Sequence, residues 1–274
     1  VLSWCIRNIN RLVCLLRKQL TVYRDVPNDV VQALLGKSQS LDVLRIECLT
    51  PDLVAVLHHA SCRIDTLDIA DVHPSSATIS GLKGTLPSVR VLRFSCFPSF
   101  WVLGMAVWVT ELEFVFEVDR ALPQDIATAL ERTPCADRLL ALRVHWRFMR
   151  EAGIGLTGFG GSTPPPLLNL PRACAHLSNL RELKLTRESP FSMGDTAFAL
   201  SSADVLALGL GCPSLHLLRI ELPLMASNSE VLSLLACCPG LTALELPAWT
   251  CSDRSSSTGG GIGGGVGTGG LNTP

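Results

Sequence analysis

The amino-acid sequence predicts an α/β solenoid, with short parallel strands on a concave face, helices on a convex face and about eight irregular repeats. Three observations predict it. First, the pattern aliphatic, two residues, Leu, six residues, aliphatic-x-x-Leu-x-apolar occurs five times in one phase: Val31–Ile46, Val54–Ile69, Ile79–Phe94, Val205–Ile220 and Val231–Leu246. Second, strand patterns centre on Leu44, Leu67, Leu92, Leu112, Leu142, Leu183, Leu218 and Leu244, at intervals of 23, 25, 20, 30, 41, 35 and 26 residues. The shorter intervals hold a strand, a turn and a helix, and the longer ones require insertions. Third, the 274 residues are 47% hydrophobic and 17% charged, so the interior is large relative to the polar surface.

The first half of each unit reads as a helix. Val30, Val31 and Leu34 share one face at helical spacing, with Asn28 as N-cap and Gly36 as the stop. Thr50-Pro51 opens the next helix, where Leu53, Val54 and Leu57 repeat that face. Ser202 ahead of Val205, Leu206 and Leu208, and Asn228 ahead of Val231, Leu232 and Leu234, carry the same start chemistry. The second half reads as a strand. In Leu41-x-x-Leu44-x-Ile46, Leu44 and Ile46 alternate inward, which turns Val43, Arg45 and Glu47 outward.

The flanks differ from this body. Residues 1–27 read as an N-terminal capping helix or a degenerate first repeat. Leu2, Ile6, Ile9, Val13, Leu16 and Leu20 would line one helical face, whereas Ile9-x-x-Leu12-x-Cys14 fits the strand template. Arg7, Arg11, Arg17, Lys18 and Arg24 make this region basic, a composition shared with mitochondrial transit peptides. The repeat domain covers residues 28–250. It carries an insert at 151–171 built on Gly-rich sequence and Pro164–Pro166, and a second irregular stretch at Phe191–Leu200. Residues 251–274 read as a disordered Ser/Gly-rich tail. The chain opens on Val1 and not on Met, so an upstream segment is expected.

Composition narrows the function classes. A net charge of −1 argues against a nucleic-acid partner held by a broadly basic face. The uncharged run Phe94–Thr110 is short of the ~20 residues a membrane span needs and contains Pro98 and Gly104, so it reads as core plus an apolar insertion, with no membrane role. Eleven scattered cysteines without a Cys-x-x-Cys pair suit buried free thiols in a reducing, cytoplasmic or nuclear compartment.

Catalytic and cofactor chemistry finds no support. Gly153-x-Gly155-x-x-Gly158 has the letters of a dinucleotide loop but is followed by Gly-Gly-Ser-Thr-Pro-Pro-Pro and not by a helix. His58-His59-x-x-Cys62 lacks the second pair a structural zinc needs, and Cys237-Cys238 read as core thiols. No nucleophile, metalloprotease or phosphate-loop motif occurs. The chain is therefore expected not to be an enzyme and to bind no cofactor.

The outward strand positions are the informative ones. The central outward residue of each strand is Arg45, Asp68, Arg93, Glu113, Arg143, Lys184, Arg219 or Glu245, every one charged on a charge-poor chain. Neighbouring strands ~4.8 Å apart would let Arg45–Asp68, Arg93–Glu113–Arg143 and Arg219–Glu245 pair laterally. Two readings stand side by side: a solvated ion-pair ladder, or a stripe that selects a complementary partner. The next outward column, which includes His145 and Glu221, would add contact specificity, and Trp146 and Trp249 are candidate anchors. On this reading Arg143→Glu leaves folding nearly unchanged.

The strand template followed by a helix resembles the leucine-rich repeat family over roughly Asn28 to Thr250. Gly211-Cys-Pro-Ser-Leu215 and Cys237-Cys-Pro-Gly-Leu241, with Cys62, Cys135 and Cys174 in the equivalent gaps, resemble its cysteine-containing type, as in F-box proteins. Those proteins are substrate receptors of cullin-based ubiquitin ligases. The resemblance implies a protein-binding solenoid that takes a protein partner on its concave face, with a cullin ligase adaptor reached through an F-box upstream of Val1. A scaffold or signalling regulator with no ligase link is the alternative. One departure stands out: where the family places Asn or Cys after the strand, this chain has Leu49, Val72, Phe97 and Trp249.

Overall fold

A computed structural model describes residues 19–72, 86, 89–95, 100–117, 130, 133–147, 177–187, 200–221, 224–247 and 249–251. The strands come from the alternating aliphatic segments: β1 (Gln19–Val22), β2 (Ser40–Ile46), β3 (Arg63–Ile69), β4 (Val89–Phe94), β5 (Glu111–Glu117), β6 (Ala141–Arg147), β7 (Glu182–Arg187), β8 (Leu217–Ile220), β9 (Leu224–Ala226), β10 (Ala243–Glu245) and β11 (Trp249–Cys251). Nine of them form one sheet in the order β1-β2-β3-β4-β5-β6-β7-β8-β10, every pair parallel. Leu44, Leu67, Leu92, Leu112, Leu142, Leu183, Leu218 and Leu244 pair in a single register across β2 to β10.

That register follows from burial. Shifting a strand by one residue would turn its inward Leu to the open face and lose ~1.5–3 kcal/mol of burial at that residue alone. From β2 to β8 the seven positions of the Leu column are fully buried, as is the following apolar column from Ile46 to Ile220. Within it Phe94 and Phe114 stack at 5.8 Å between centroids. The run Phe94–Thr110 belongs to this interior: a five-residue helix at Phe100–Gly104 places Val102 and Leu103 in the core, with Met105, Ala106 and Val109 buried after it.

Helices cover one face of the sheet: α1 (Asn28–Lys37), α2 (Pro51–His59), α3 (Phe100–Gly104), α4 (Ser202–Gly211) and α5 (Asn228–Cys237). Their buried residues join the core cluster of the inward strand positions. Thr50 caps α2 as expected, its Oγ1 accepting from Leu53 N–H at 3.2 Å with Pro51 in the first turn.

Other starts differ by one residue. Pro27, not Asn28, occupies the cap position of α1, and the helix runs through Gly36 to Lys37 before Ser38 ends it. Its buried face is Val31 and Leu35, with Val30 and Leu34 half-buried beside it. Ser201 and Ser227 cap α4 and α5, in place of Ser202 and Asn228. The reason is reciprocal bonding three residues on. Ser227 Oγ accepts from Glu230 N–H at 3.2 Å while Glu230 Oε2 accepts from Ser227 N–H at 2.7 Å. Ser227→Ala is expected to cost about 1 kcal/mol, read as a lower urea midpoint at unchanged slope.

At the N-terminal side, the helix expected to include Leu20 gives way to strand β1, in which Leu20 pairs with Leu44. The Ile9–Cys14 candidate lies outside the described residues. So do the 151–171 insert, with its Gly153–Gly158 motif, and the tail after Cys251, which itself belongs to β11. Of the stretch 191–200 only Leu200 is described, bridged to Leu224.

In the turns after β2 and β3 the Leu49 N–H is taken by a backbone carbonyl and the Val72 N–H by the Asp71 carboxylate. Leu49 N–H donates to Asp71 O at 2.8 Å, and Leu49 and Val72 form a parallel bridge. At the far end β9 and β11 pair in parallel, with Trp249 Nε1 donating to Ala226 O at 2.9 Å. Apolar residues at these positions therefore leave backbone donors satisfied.

Candidate interaction face

The face of the sheet opposite the helices is built from the outward strand residues. Register brings Arg45, Asp68, Arg93, Glu113, Arg143, Lys184, Arg219 and Glu245 into one row across eight strands. The row is less solvated than outward positions suggest. Asp68 is 7% exposed and Glu113 9%, because the long flanking arginine stems cover them. Burial pushes the Asp68 carboxyl above its ordinary range, against the pull of Arg45 and Arg93 and with Glu113 adding to the rise.

The pairing is partly lateral. Arg45 lies 3.8 Å from Asp68, Arg93 2.9 Å from Glu113, and Arg219 3.2 Å from Glu245. Arg219 also bonds Glu221, two residues along its own strand, and its guanidinium is held above its usual pKa first by that hydrogen bond. The expected Glu113–Arg143 pair is replaced. Arg143 donates to Glu111 at 2.8 Å and to Glu182 at 2.6 Å, two carboxylates one column nearer the strand entrance. Lys184 meets Glu182 as well, at 3.0 Å. Glu113 instead faces His145 Nε2 at 3.5 Å, and His145 Nδ1 bonds Thr186 Oγ1.

Sequence reasoning placed the middle row and missed the entrance columns. Arg90 bonds Asp65 at 2.8 and 2.9 Å and also reaches Glu111, so Asp65, Arg90, Glu111, Arg143, Glu182 and Lys184 form one chain over β3 to β7. The Arg90 hydrogen bonds hold Asp65 below the ordinary carboxylate range. At Glu182 burial acts upward, but the hydrogen bonds from Arg143 and Lys184 outweigh it and hold the group low. The signal was in the sequence: acids or bases stand at 65 and 90, two residues before the inward Leu of their strands, and at 111 and 182, one residue before it.

This geometry revises the Arg143→Glu expectation. Arg143 joins two carboxylates at 23% side-chain exposure, so reversing its charge affects folding as well as recognition.

The face offers charge, hydrogen-bond donors and hydrogen-bond acceptors, with no grouping of three or more metal-binding side chains among the described residues. His58 and His59 end α2 on the exposed side, while Cys62 is buried behind them. Cys48, Cys62, Cys135, Cys212, Cys237 and Cys238 are free thiols. Cys212 and Cys238 follow α4 and α5 at equivalent places, and Cys238 Sγ donates to Cys212 O at 3.5 Å across the seam between units. Burial raises the Cys135 thiol to about 12 and Cys238 to about 11. Both stay protonated at neutral pH and unreactive. Iodoacetamide at pH 8 is expected to leave Cys135 unmodified in the native protein and to label it in urea, read by peptide mass spectrometry.

Among the anchors, Trp249 is 37% exposed, with its indole N–H committed to Ala226. Trp146 sits in β6 beside Arg187 of β7 in the backbone register. Among the described residues no helix is long and apolar enough to cross a membrane.

Fold and face together define an α/β protein with one nine-stranded parallel sheet, helices on one side and an ion-paired polar surface on the other. Compared with known proteins, the chain matches no protein-family model, and no curated protein matches it.

Proposed function

We propose that the chain is a protein-recognition module, a leucine-rich-repeat solenoid of the cysteine-containing type that binds a protein partner on its concave, open sheet face. The observation that carries this reading is the row from Arg45 to Glu245: eight charged residues in one register on a chain otherwise poor in charge. A sheet left open on one side presents a wide, rigid array of side chains, a surface suited to a folded partner and not to a small substrate. Partial burial and mutual pairing fix those side chains before binding, which lowers the ordering cost of association.

Within that class, the reading favoured by the Cys-Pro turns is the substrate-recognition part of an F-box-type ubiquitin ligase receptor. Cys212 and Cys238, equivalent in position and joined by a thiol–carbonyl bond, support the cysteine-containing type. A scaffold or signalling regulator uses the same face without a ligase.

Affinity purification of the complete gene product, followed by mass spectrometry, tests both levels. Recovery of a cullin and its adaptor, together with other proteins lost in an Arg93→Glu/Arg219→Glu variant, is the expected result. Partners without any cullin adaptor leave the scaffold reading. Partners unaffected by the variant overturn the assignment to this face.

A further inference from the structure

We propose that the strand-entrance edge of β5 to β7 is a docking strip for an extended acidic segment of a partner protein. Trp108 and Leu140 receive an apolar side chain of that segment, and Arg138 and Arg181 receive its acids. The strip is independent of what the open face binds, because none of these residues belongs to the charged row. The backbone ladder sets it in place. Leu140 N–H donates to Thr110 O at 2.7 Å and Arg181 N–H to Leu140 O at 2.8 Å, so these residues lie side by side at the entrances of β5, β6 and β7. Two residues before Thr110 and Leu140 stand Trp108 and Arg138, and the Arg138 guanidinium lies over the Trp108 ring, 5.4 Å from its centroid. Asn179 donates to Asp137 O at 2.6 Å and ties the turn that carries Arg138 to the approach to β7.

The repeats themselves supply the comparison. Four positions before the inward Leu, every other unit holds Ser, Arg, Asn or Gly, and two positions before it every other unit holds Asp, Arg, Thr or His. Trp108 and Leu140 are the large apolar exceptions in these two columns. They fall on adjacent strands and are 56% and 36% exposed. The exposed leucines of the helices are different in kind: Leu206 and Leu232 hold equivalent places on α4 and α5, a property the units share. Single exposed apolar residues are ordinary on any surface. An adjacent pair that breaks its own repeat is where function overrides the pattern. Trp and Arg are also the side chains that most often anchor interfaces. Stacking on Arg138 orders the Trp108 ring before binding, which lowers the cost of association.

Charge and dimensions select the occupant. Arg138 and Arg181 are exposed, and neither is ion-paired among the described residues. The nearby acids Glu111 and Glu182 are committed to Arg90, Arg143 and Lys184, which leaves Asp137 as the exposed acid of this stretch. A guanidinium stacked on a ring keeps its in-plane N–H groups for carboxylates. From β5 to β7 the strip spans two strand spacings, about 10 Å, the length of about three extended residues. It therefore fits a large apolar side chain with an Asp or Glu about three positions away. The chain's own connectors lack the needed excess of acid: residues 118–132 hold three acids against two bases, and residues 148–176 one acid against two bases. A second copy meeting this edge about a two-fold axis would bring the same two cations against it.

Selection of a random peptide library on the full chain tests this, with the enriched peptides synthesised and their affinities measured by fluorescence anisotropy. Trp108→Ala and Arg181→Glu change exposed positions of the strip, Arg93→Glu/Arg219→Glu reports on the open face, and circular dichroism is the folding control. The expected result is enrichment of peptides with Asp or Glu about three positions from Leu, Phe or Trp. Each strip variant binds them about tenfold more weakly, and the open-face variant binds them as the wild type does. No enriched peptide, enrichment of peptides without acids, or an affinity unchanged in either strip variant overturns the proposal. An affinity lost in the open-face variant moves the peptides to that face and overturns it as well. Hydroxyl-radical footprinting of the free chain covers the other occupants. Trp108 protected from oxidation in the monomer would assign the strip to the chain's own connectors, and Trp108 protected only on self-association would assign it to a second copy. Either result overturns the proposal.

Discussion

Leu218→Ala is expected to lower the unfolding free energy by about 2–5 kcal/mol, measured by urea denaturation. The residue is fully buried and lies in register between Leu183 and Leu244, with Ile220 inward beside it. Truncation opens a cavity that two parallel strands would have to approach to fill, and their spacing is fixed by the backbone ladder. Leu244→Ala provides the internal comparison. Leu244 is only partly covered, so the same truncation there should cost visibly less. Equal losses at the two positions, or none at 218, would show that the inward column is misassigned.

Arg143→Glu is expected to cost about 1–2 kcal/mol at neutral pH, discounted for its partial exposure. The change removes hydrogen bonds to Glu111 and Glu182 and sets a third carboxylate beside them. The pH dependence gives the test its sign. Glu182 is held below its ordinary range in the folded protein, so its pairing stabilises above the unfolded carboxylate pKa and is lost as pH falls through the lower folded value. In the variant Arg143's share of that contribution is gone, with Lys184 left as the partner of Glu182, and crowding of carboxylates favours their protonation. The stability gap between variant and wild type should therefore narrow below about pH 4. Arg143→Gln, which removes the positive charge without adding a negative one, should fall between the two. A gap that is constant from pH 3 to 8 would show that Arg143 acts through packing and not through charge.

Most of the sheet was legible because one rule acts at every strand. A Leu on a covered face cannot slip by one position, so the spacing of leucines fixes the register from β2 to β10 and, with it, the charged row. Strand β1 escaped because only Leu20 and Val22 of its template are apolar, while Arg17 stands where an aliphatic is expected. Among the described residues β1 begins the sheet and pairs with β2. Helix starts were displaced by one residue at Ser201 and Ser227 because side-chain identity alone does not choose between adjacent polar residues. The acid three positions on, Asp204 or Glu230, chooses. The partners of Arg143 were missed for a different reason. Arginine reaches across a column, so pairing depends on the neighbouring columns as well as on lateral order. Glu111 and Glu182 compete there with Glu113, which binds Arg93 and His145 instead.

The unequal strand intervals carry a consequence for how such a sequence can change over time. Leu92 and Leu112 are 20 residues apart and Leu142 and Leu183 are 41 apart, yet both pairs sit side by side in the same register. Doubling a connecting segment adds only about 0.6 kcal/mol of closure entropy. Displacing a strand by a single residue forfeits several times that in buried leucine alone. Insertions and deletions between strands are therefore nearly neutral, while those within a strand are purged. The charged pattern on the open face can stay fixed while the connectors at its edges diverge freely in length.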